Sequence, residues 1–386
     1  MSDGGPAPSP SGAGCASAPL AGLRVLELAR ILAGPWAGQV LADLGAEVTK
    51  IEAPAGDDTR TWGPPFVTNP DGSRDAAYFH ACNRGKTSHV VDFTTAEGQA
   101  QIRALAAESD VLIENFKVGG LAKYGLDYAS LSALNPRLVY CSITGFGQDG
   151  PYAARAGYDY IVQGMSGMMS LTGEPDGAPQ KIGVAMADIA TGLYSVIAIQ
   201  AALAMRGRTG RGQHIDMALL DTMVGVLANQ AANYFATGDS PPRVGNAHMN
   251  VSPYAVFETA DGWFILAVGN DGQFRRFCDV VALSPQPEWA TNAGRLDHQE
   301  PLFAAIADRT RTFGRDDLLA RLEVAGVPAG PINTVEQALT DPQVVARGMV
   351  LDQQPIRGLR TPIRFSDASL VLGRPAPRKG SADAEP

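Results

Sequence analysis

The patterned part of the chain begins with a short, mostly apolar run at residues 23–28 that reads as a buried strand. A Gly34-Pro35 break then opens an amphipathic stretch through Leu44, and a second strand-like run follows at Glu47–Glu52. Short apolar runs read as buried strands and a 3.6-residue period as a helix, so the order is strand, loop, helix, strand. The pattern recurs as a strand at 88–93, a helix at 96–107 and strands at 111–113 and 139–144. Repeated βαβ units predict a parallel, Rossmann-like sheet for the first half of the chain.

A long apolar helix at 189–205 ends in the basic, Gly-rich turn Arg206-Gly207-Arg208-Thr209-Gly210-Arg211-Gly212; a strand at 213–217 and a helix through Tyr234 follow. Periodicity fades over 238–253, where turn formers accumulate, and this predicts a linker. Runs at 254–258 and 263–268 predict a hairpin joined at Asp261-Gly262, followed by helices at 273–281, 301–309, 315–325 and 335–339. The expected fold class is α/β, a large Rossmann-like domain plus a smaller α+β domain. Its expected divisions are a disordered leader at 1–18, the large domain at 19–237, linker and small domain at 238–330, a return to the large domain at 331–373, and a polar tail at 374–386.

With 386 residues, 45% of them apolar, the chain can build two cores. Its net charge of −9 offers no global basic field for nucleic acid or an anionic membrane, so an anionic ligand must find a local patch. The run 189–205 is shorter than the roughly 20 residues of a membrane span, and the first residues lack the basic start and apolar core of a signal peptide. Cys15, Cys82, Cys141 and Cys278 match neither a disulfide framework nor a zinc spacing, and the five histidines show no paired-ligand spacing. No metal, and a reducing, cytoplasmic location, are the expectations. The loop Arg30-Ile31-Leu32-Ala33-Gly34-Pro35 lacks the three glycines of a dinucleotide fingerprint, so no redox cofactor is expected.

Candidate chemistry concentrates in Arg155-Ala156-Gly157-Tyr158-Asp159 and in Val184-Ala185-Met186-Ala187-Asp188, where Asp188 opens the long apolar helix. An aspartate there is an ordinary N-cap. The same helix terminus would keep a nucleophilic carboxylate ionised near neutral pH. Arg60, Arg84, Lys86, Lys117, Lys123 and Arg155 are local cations that suit phosphates, though each alone also reads as a solvated surface charge. Arg243 and His248, in the linker, are candidates for a distal carboxylate.

Several ordered blocks resemble family III CoA-transferases of the CaiB/BaiF type: Leu32-Ala33-Gly34-Pro35, Leu41-Ala42-Asp43-Leu44-Gly45-Ala46-Glu47-Val48, Asn83-Arg84-Gly85-Lys86, Ile113-Glu114-Asn115-Phe116 and Ser142-Ile143-Thr144-Gly145-Phe146-Gly147. The resemblance covers roughly residues 19–372. It implies that Asp188 is the nucleophile, forming an aspartyl anhydride and then an aspartyl-CoA thioester. It further implies CoA, a co-substrate, contacting Leu32, Ala33, Val91, Thr94, Asn115, Phe116, Lys117, Lys123, Ala156, Tyr158 and Asp159, and a shielding loop at Gly269, Asn270 and Gly272. An interlocked homodimer is implied too. A racemase branch carries a His where Tyr158 stands, and a phenol is a poor base at neutral pH, which favours transferase over 2-methylacyl-CoA racemase or a silent CoA-binding protein. Asp57-Asp58-Thr59-Arg60-Thr61-Trp62-Gly63-Pro64-Pro65-Phe66 and Ala231-Ala232-Asn233-Tyr234 resemble the succinate–hydroxymethylglutarate (glutarate) branch, which implies a succinyl-CoA donor and a C5–C6 dicarboxylate acceptor.

Overall fold

The βαβ pattern is realised as a six-stranded, wholly parallel sheet in the computed structural model, which describes residues 18–383. The chain begins with β1 (Arg24–Glu27), α1 (Ala33–Asp43) and β2 (Glu47–Glu52), then a hairpin of β3 (Phe66–Thr68) and β4 (Arg74–Ala76). After these come α2 (Ala77–Cys82), β5 (Thr87–Val90), α3 (Ala96–Glu108), β6 (Val111–Glu114), α4 (Tyr128–Leu134) and β7 (Val139–Thr144). Helices α5 (Asp159–Met165), α6 (Met168–Leu171) and α7 (Met186–Thr209) precede β8 (His214–Ala218), and α8 (Leu219–Gly225) and α9 (Ala228–Thr237) follow it. The strand order is β5-β2-β1-β6-β7-β8. The expected single helix after β8 is broken before Ala228, whose φ is +47°.

Every residue of α1 except Trp36 is buried, as befits a helix packed between a sheet and a second helix. That second helix, α7, is long and apolar enough to cross a membrane, but Ala187, Ala190, Val196, Ile199 and Ala202 place one side of it in the core. It stops at Gly210, whose φ of +72° lets its N–H return to the Arg206 carbonyl. Two glycines permit the close packing around α1: a Cβ on Gly38 would overlap the Glu27 carboxylate, and one on Gly192 would stand 2.7 Å from the Ala33 carbonyl oxygen.

Three of the expected phosphate-binding cations are consumed inside this unit. Lys86 and Lys50 share Glu27 at 2.9 and 3.1 Å, with Asp57 also 2.9 Å from Lys50; Arg60 pairs with Glu52 and Asp75; and Arg84 grips Asp43. All are buried, so Arg60, Arg84 and Lys86 are neither surface charges nor free phosphate ligands. Burial outweighs Glu27 and holds Lys86 below the usual lysine value, whereas for Lys50 the charges of Glu27 and Asp57 outweigh burial and hold it raised. Breaking one partner of such a pair leaves a buried charge uncompensated. Arg84→Leu, which strands Asp43 with Thr361 as its remaining side-chain partner, is expected to cost about 3–5 kcal/mol in urea unfolding. A loss below about 1 kcal/mol would refute that assignment.

The first unit comprises 18–168, 181–231 and 342–383 of the described residues, and the second 169–180 and 232–341. The disordered leader expected at 1–18 falls, apart from Ala18, outside the described residues, and so does Cys15; Cys82, Cys141 and Cys278 are buried free thiols. The tail is not a loose polar end. Residues 380–383 run along the exposed edge of β5, with Gly380 N–H donating to Ser88 Oγ, Ala382 N–H to Ser88 O and Val90 N–H to the Asp383 carboxylate, each at 3.0 Å. An edge strand carries unpaired backbone groups, and the tail satisfies them.

In the second unit β9 (Tyr254–Thr259) and β10 (Gly262–Ala267) pair as predicted, but the turn is Ala260-Asp261, since Thr259 pairs with Gly262. Asp261 is held back to accept the Arg315 N–H. Strand β11 (Ala329–Pro331) completes the sheet, and α10 (Asp271–Val281), α11 (Asn292–Asp297), α12 (Gln299–Thr310) and α13 (Arg315–Val324) accompany it.

Candidate active site

From β1 the sheet extends to β2 and β5 on one side and to β6, β7 and β8 on the other. In open parallel sheets ligands bind outside the strand carboxyl ends where the order reverses, here between β1 and β6. A cleft lies at that end of the sheet, walled by Leu28, Ile51, Ala53, Phe93 and Phe116, with Arg30, Glu52 and Asp57 also on its lining. Phe93 meets Phe116 and Tyr124 edge to face, each at 5.4 Å, and the Arg30 guanidinium lies 5.5 Å from the Phe116 ring. Arg30 is itself paired with Asp58 at 2.8 Å, so what the slot offers is an aromatic stacking surface, which suits a flat heteroaromatic ring.

The loop leaving β1 turns sharply at Ile31, whose φ is +70°, and delivers the first turn of α1. There the Ala33 backbone N–H lies near Asp188 and favours its ionised carboxylate. Asp188 is the third residue of α7, not its cap. The capping is done by Asp159, one oxygen of which accepts the Ala187 N–H at 2.7 Å while the other accepts from Gln163 at 2.8 Å. Two aspartates therefore face each other at one helix start. Burial, and after it the charge of Asp159, push the Asp188 carboxyl up from 3.8 to about 7, against the Ala33 N–H. The expectation that the helix terminus would keep it readily ionised is corrected: desolvation and a like charge outweigh the dipole.

The other expected site residues divide. Leu32 and Val91 are buried, and Val91 donates its N–H to the Glu52 carbonyl. The Thr94 hydroxyl is spent on Asp92 at 2.6 Å. Lys117, Lys123, Ala156 and Tyr158 are exposed, and Lys123 lies over the Tyr124 ring beside the aromatic slot. Arg155 stacks on Tyr152 and Phe146. Asn115 uses both side-chain polar atoms on the backbone of Arg30. In the second unit, Asn270 caps α10 by accepting from Gln273 N–H at 2.9 Å, and Gln273 reaches back to the Gly269 N–H at 2.7 Å, so Gly269, Asn270 and Gly272 belong to a closed helix cap. Arg243 is corrected as a carboxylate ligand, because its guanidinium donates to the carbonyls of Glu174, Pro175 and Gly177. His248 accepts the Asn250 N–H through Nδ1 and packs on Tyr254.

Tyr78 is the functional candidate that the sequence pattern hid. Burial, then the charges of Asp188, Cys82 and Asp159, push its phenol up to about 12, so it remains a donor throughout the neutral range. Trp62 stands edge-on to it at 5.5 Å and is 45% exposed. In Asp75-Ala76-Ala77-Tyr78-Phe79 the tyrosine reads as one more apolar helix position.

The model described as CoA-transferase family III matches residues 20–383. The succinate–glutarate CoA-transferase of Agrobacterium fabrum is 58% identical over 95% of this chain and 94% of its own length. Succinyl-CoA:glutarate CoA-transferase of Homo sapiens is 40% identical over 94% of this chain and 84% of its own. A solved CAIB/BAIF family protein from Brucella suis superimposes with a TM-score of 0.89 at 61% identity, covering 95% of this chain and 98% of that one. A match of this extent shows that the chain belongs to CoA-transferase family III.

Proposed function

We propose that this CoA-transferase moves CoA from succinyl-CoA to glutarate, with Asp188 as the covalent nucleophile. The observation that carries the covalent part is the Asp188 carboxylate, partly buried at the start of α1 and within reach of a backbone N–H donor. The substrates are supported by the relatives that bear those names along nearly the whole chain.

The Asp188 carboxylate attacks the donor thioester carbonyl and CoA thiolate leaves, giving a mixed anhydride. The thiolate then attacks the aspartyl carbonyl, releasing succinate and forming the aspartyl-CoA thioester. Glutarate attacks that thioester, expelling thiolate and forming a second anhydride. Thiolate finally attacks the glutaryl carbonyl and frees Asp188. A carboxylate suits this because its anhydride and thioester both remain activated, whereas a serine ester would not. The Ala33 N–H is placed to stabilise oxyanions at the aspartyl carbonyl, and Tyr78 supplies a protonated donor nearby. The Phe93–Phe116 slot suits adenine, and the exposed Lys123 beside it suits a phosphate.

The test is succinyl-CoA incubation followed by mass spectrometry of the peptide carrying Asp188. An acyl or CoA adduct there is expected, trapped as a hydroxamate with hydroxylamine; its absence during active turnover would refute the covalent route. A homodimer is part of the same proposal, because α5 and α7 pack on each other and leave Tyr160, Ile161, Leu193, Tyr194 and Ile197 exposed. Light scattering should give twice the chain mass, and a monomer at micromolar concentration would count against it.

A further inference from the structure

We propose that Asn115 is a positioning residue for catalysis: by clamping the backbone of Arg30 it holds Ile31 in a left-handed turn and so aims the Ala33 N–H at Asp188. This rests on the reading of Asp188 as nucleophile.

Asn115 follows β6 directly and crosses to the loop after β1. Its Oδ1 accepts the Arg30 N–H at 2.9 Å and its Nδ2 donates to the Arg30 carbonyl at 2.7 Å. Both backbone groups of one residue are thus fixed by a single amide side chain, leaving that residue no freedom to rotate. The next residue, Ile31, has φ +70°, a conformation that a β-branched side chain enters only when its surroundings force it. Two residues later comes Ala33, whose N–H lies near Asp188 and favours its ionised form. Lys50 holds the Ala29 carbonyl at 2.8 Å on the near side of the loop, so the turn is fixed upstream as well. The strain at Ile31 is the part of this arrangement that packing alone would relax. Asn115 opposes that relaxation from the Arg30 side, while Asp57 accepts the Ile31 N–H at 3.5 Å and the Cys82 thiol lies 3.6 Å from the Ile31 carbonyl.

Two roles for Asn115 have different signatures. A ligand of CoA would set affinity. A positioning residue sets the rate at saturation and the pH at which Asp188 works, because withdrawing the Ala33 N–H removes the donor that favours the carboxylate. The titratable groups facing Asp188 from neighbouring elements are Asp159 on α5 and Tyr78 on α2, and neither is touched by the variants.

The experiment compares the full-length wild type with Asn115→Ala, Ile31→Gly and the double variant, using single-turnover acylation by succinyl-CoA across pH and CoA binding by calorimetry. Asn115→Ala is expected to slow acylation at saturation about 10- to 100-fold and to move its acid limb to higher pH, with CoA affinity changed less than about threefold. Glycine accepts a positive φ freely, so adding Ile31→Gly should recover at least about tenfold of a hundredfold loss and return the limb towards wild type. If Asn115→Ala does not fold, the double variant still decides, since recovery of rate and limb supports the inference and failure of both overturns it. Unchanged acylation in Asn115→Ala, or a loss confined to CoA affinity, also overturns it. Should wild type itself show no Asp188 adduct, the nucleophile reading fails instead, and the two failures are distinguishable.

Discussion

Asp188→Asn is expected to lower CoA transfer by at least about 10³-fold, as loss of a covalent nucleophile does, and to make the folded protein more stable at the same time. The two effects have one cause. Folding buries the Asp188 carboxyl beside Asp159 and raises it from 3.8 to about 7. Between those values the folded chain holds a proton that the unfolded chain has lost, so the contribution of Asp188 to stability falls as pH rises through that window. Each tenfold in proton affinity is about 1.4 kcal/mol, which bounds the cost of the ionised carboxylate at pH 8 on the order of 1–4 kcal/mol. The asparagine variant carries no such cost. Urea unfolding should therefore show Asp188→Asn more stable than wild type at pH 8, with the difference vanishing near pH 4. A variant equally inactive but no more stable at pH 8 would mean that the carboxylate is solvated in the folded enzyme.

Local signals made most elements legible before their arrangement was known. The short, mostly apolar runs of β1, β6 and β7 and the helical period of α3 depend on neighbours in sequence, and the predicted strands and helices lie within a few residues of their places. The blocks around Asp188 single it out in the sequence, but its surroundings are not legible there. Its helix is capped by Asp159, 28 residues earlier, and its N–H donor comes from Ala33 on another helix. Arg60, Arg84 and Lys86 misled for the same reason. A cation reads as exposed unless its carboxylate is known, and Glu27 lies 59 residues from Lys86 in sequence and Asp43 lies 41 from Arg84. The tail was read from its polarity, but the unpaired edge of β5 that it covers exists only once the sheet order is known. What escaped the sequence was thus the long-range pairing, and at this site such pairing sets the chemistry.

The pH dependence should expose that pairing directly. Because kcat/KM reports the free enzyme, its acid limb should fall tenfold per pH unit below about 7, reaching about a hundredfold loss at pH 5. Asp159→Asn keeps an oxygen to accept the Ala187 N–H but removes the second cause of the raised Asp188 value, the like charge. Burial, the first cause, remains. The limb should therefore move to lower pH without vanishing, and the variant should outperform wild type in relative activity at pH 5. Gln163, which donates to the other Asp159 oxygen, is held in its orientation by the Ile182 N–H on its own Oε1 at 2.9 Å, so the exchange gives up that contact while the bond from the Ala187 N–H remains. A limb left in place would show that Asp159 acts on α7 alone, and one moved upward would show that losing the cap outweighs losing the charge. A downward shift assigns Asp159 a second task beyond closing the helix: it keeps the nucleophile basic enough to attack a thioester, at the cost of leaving it protonated in acid.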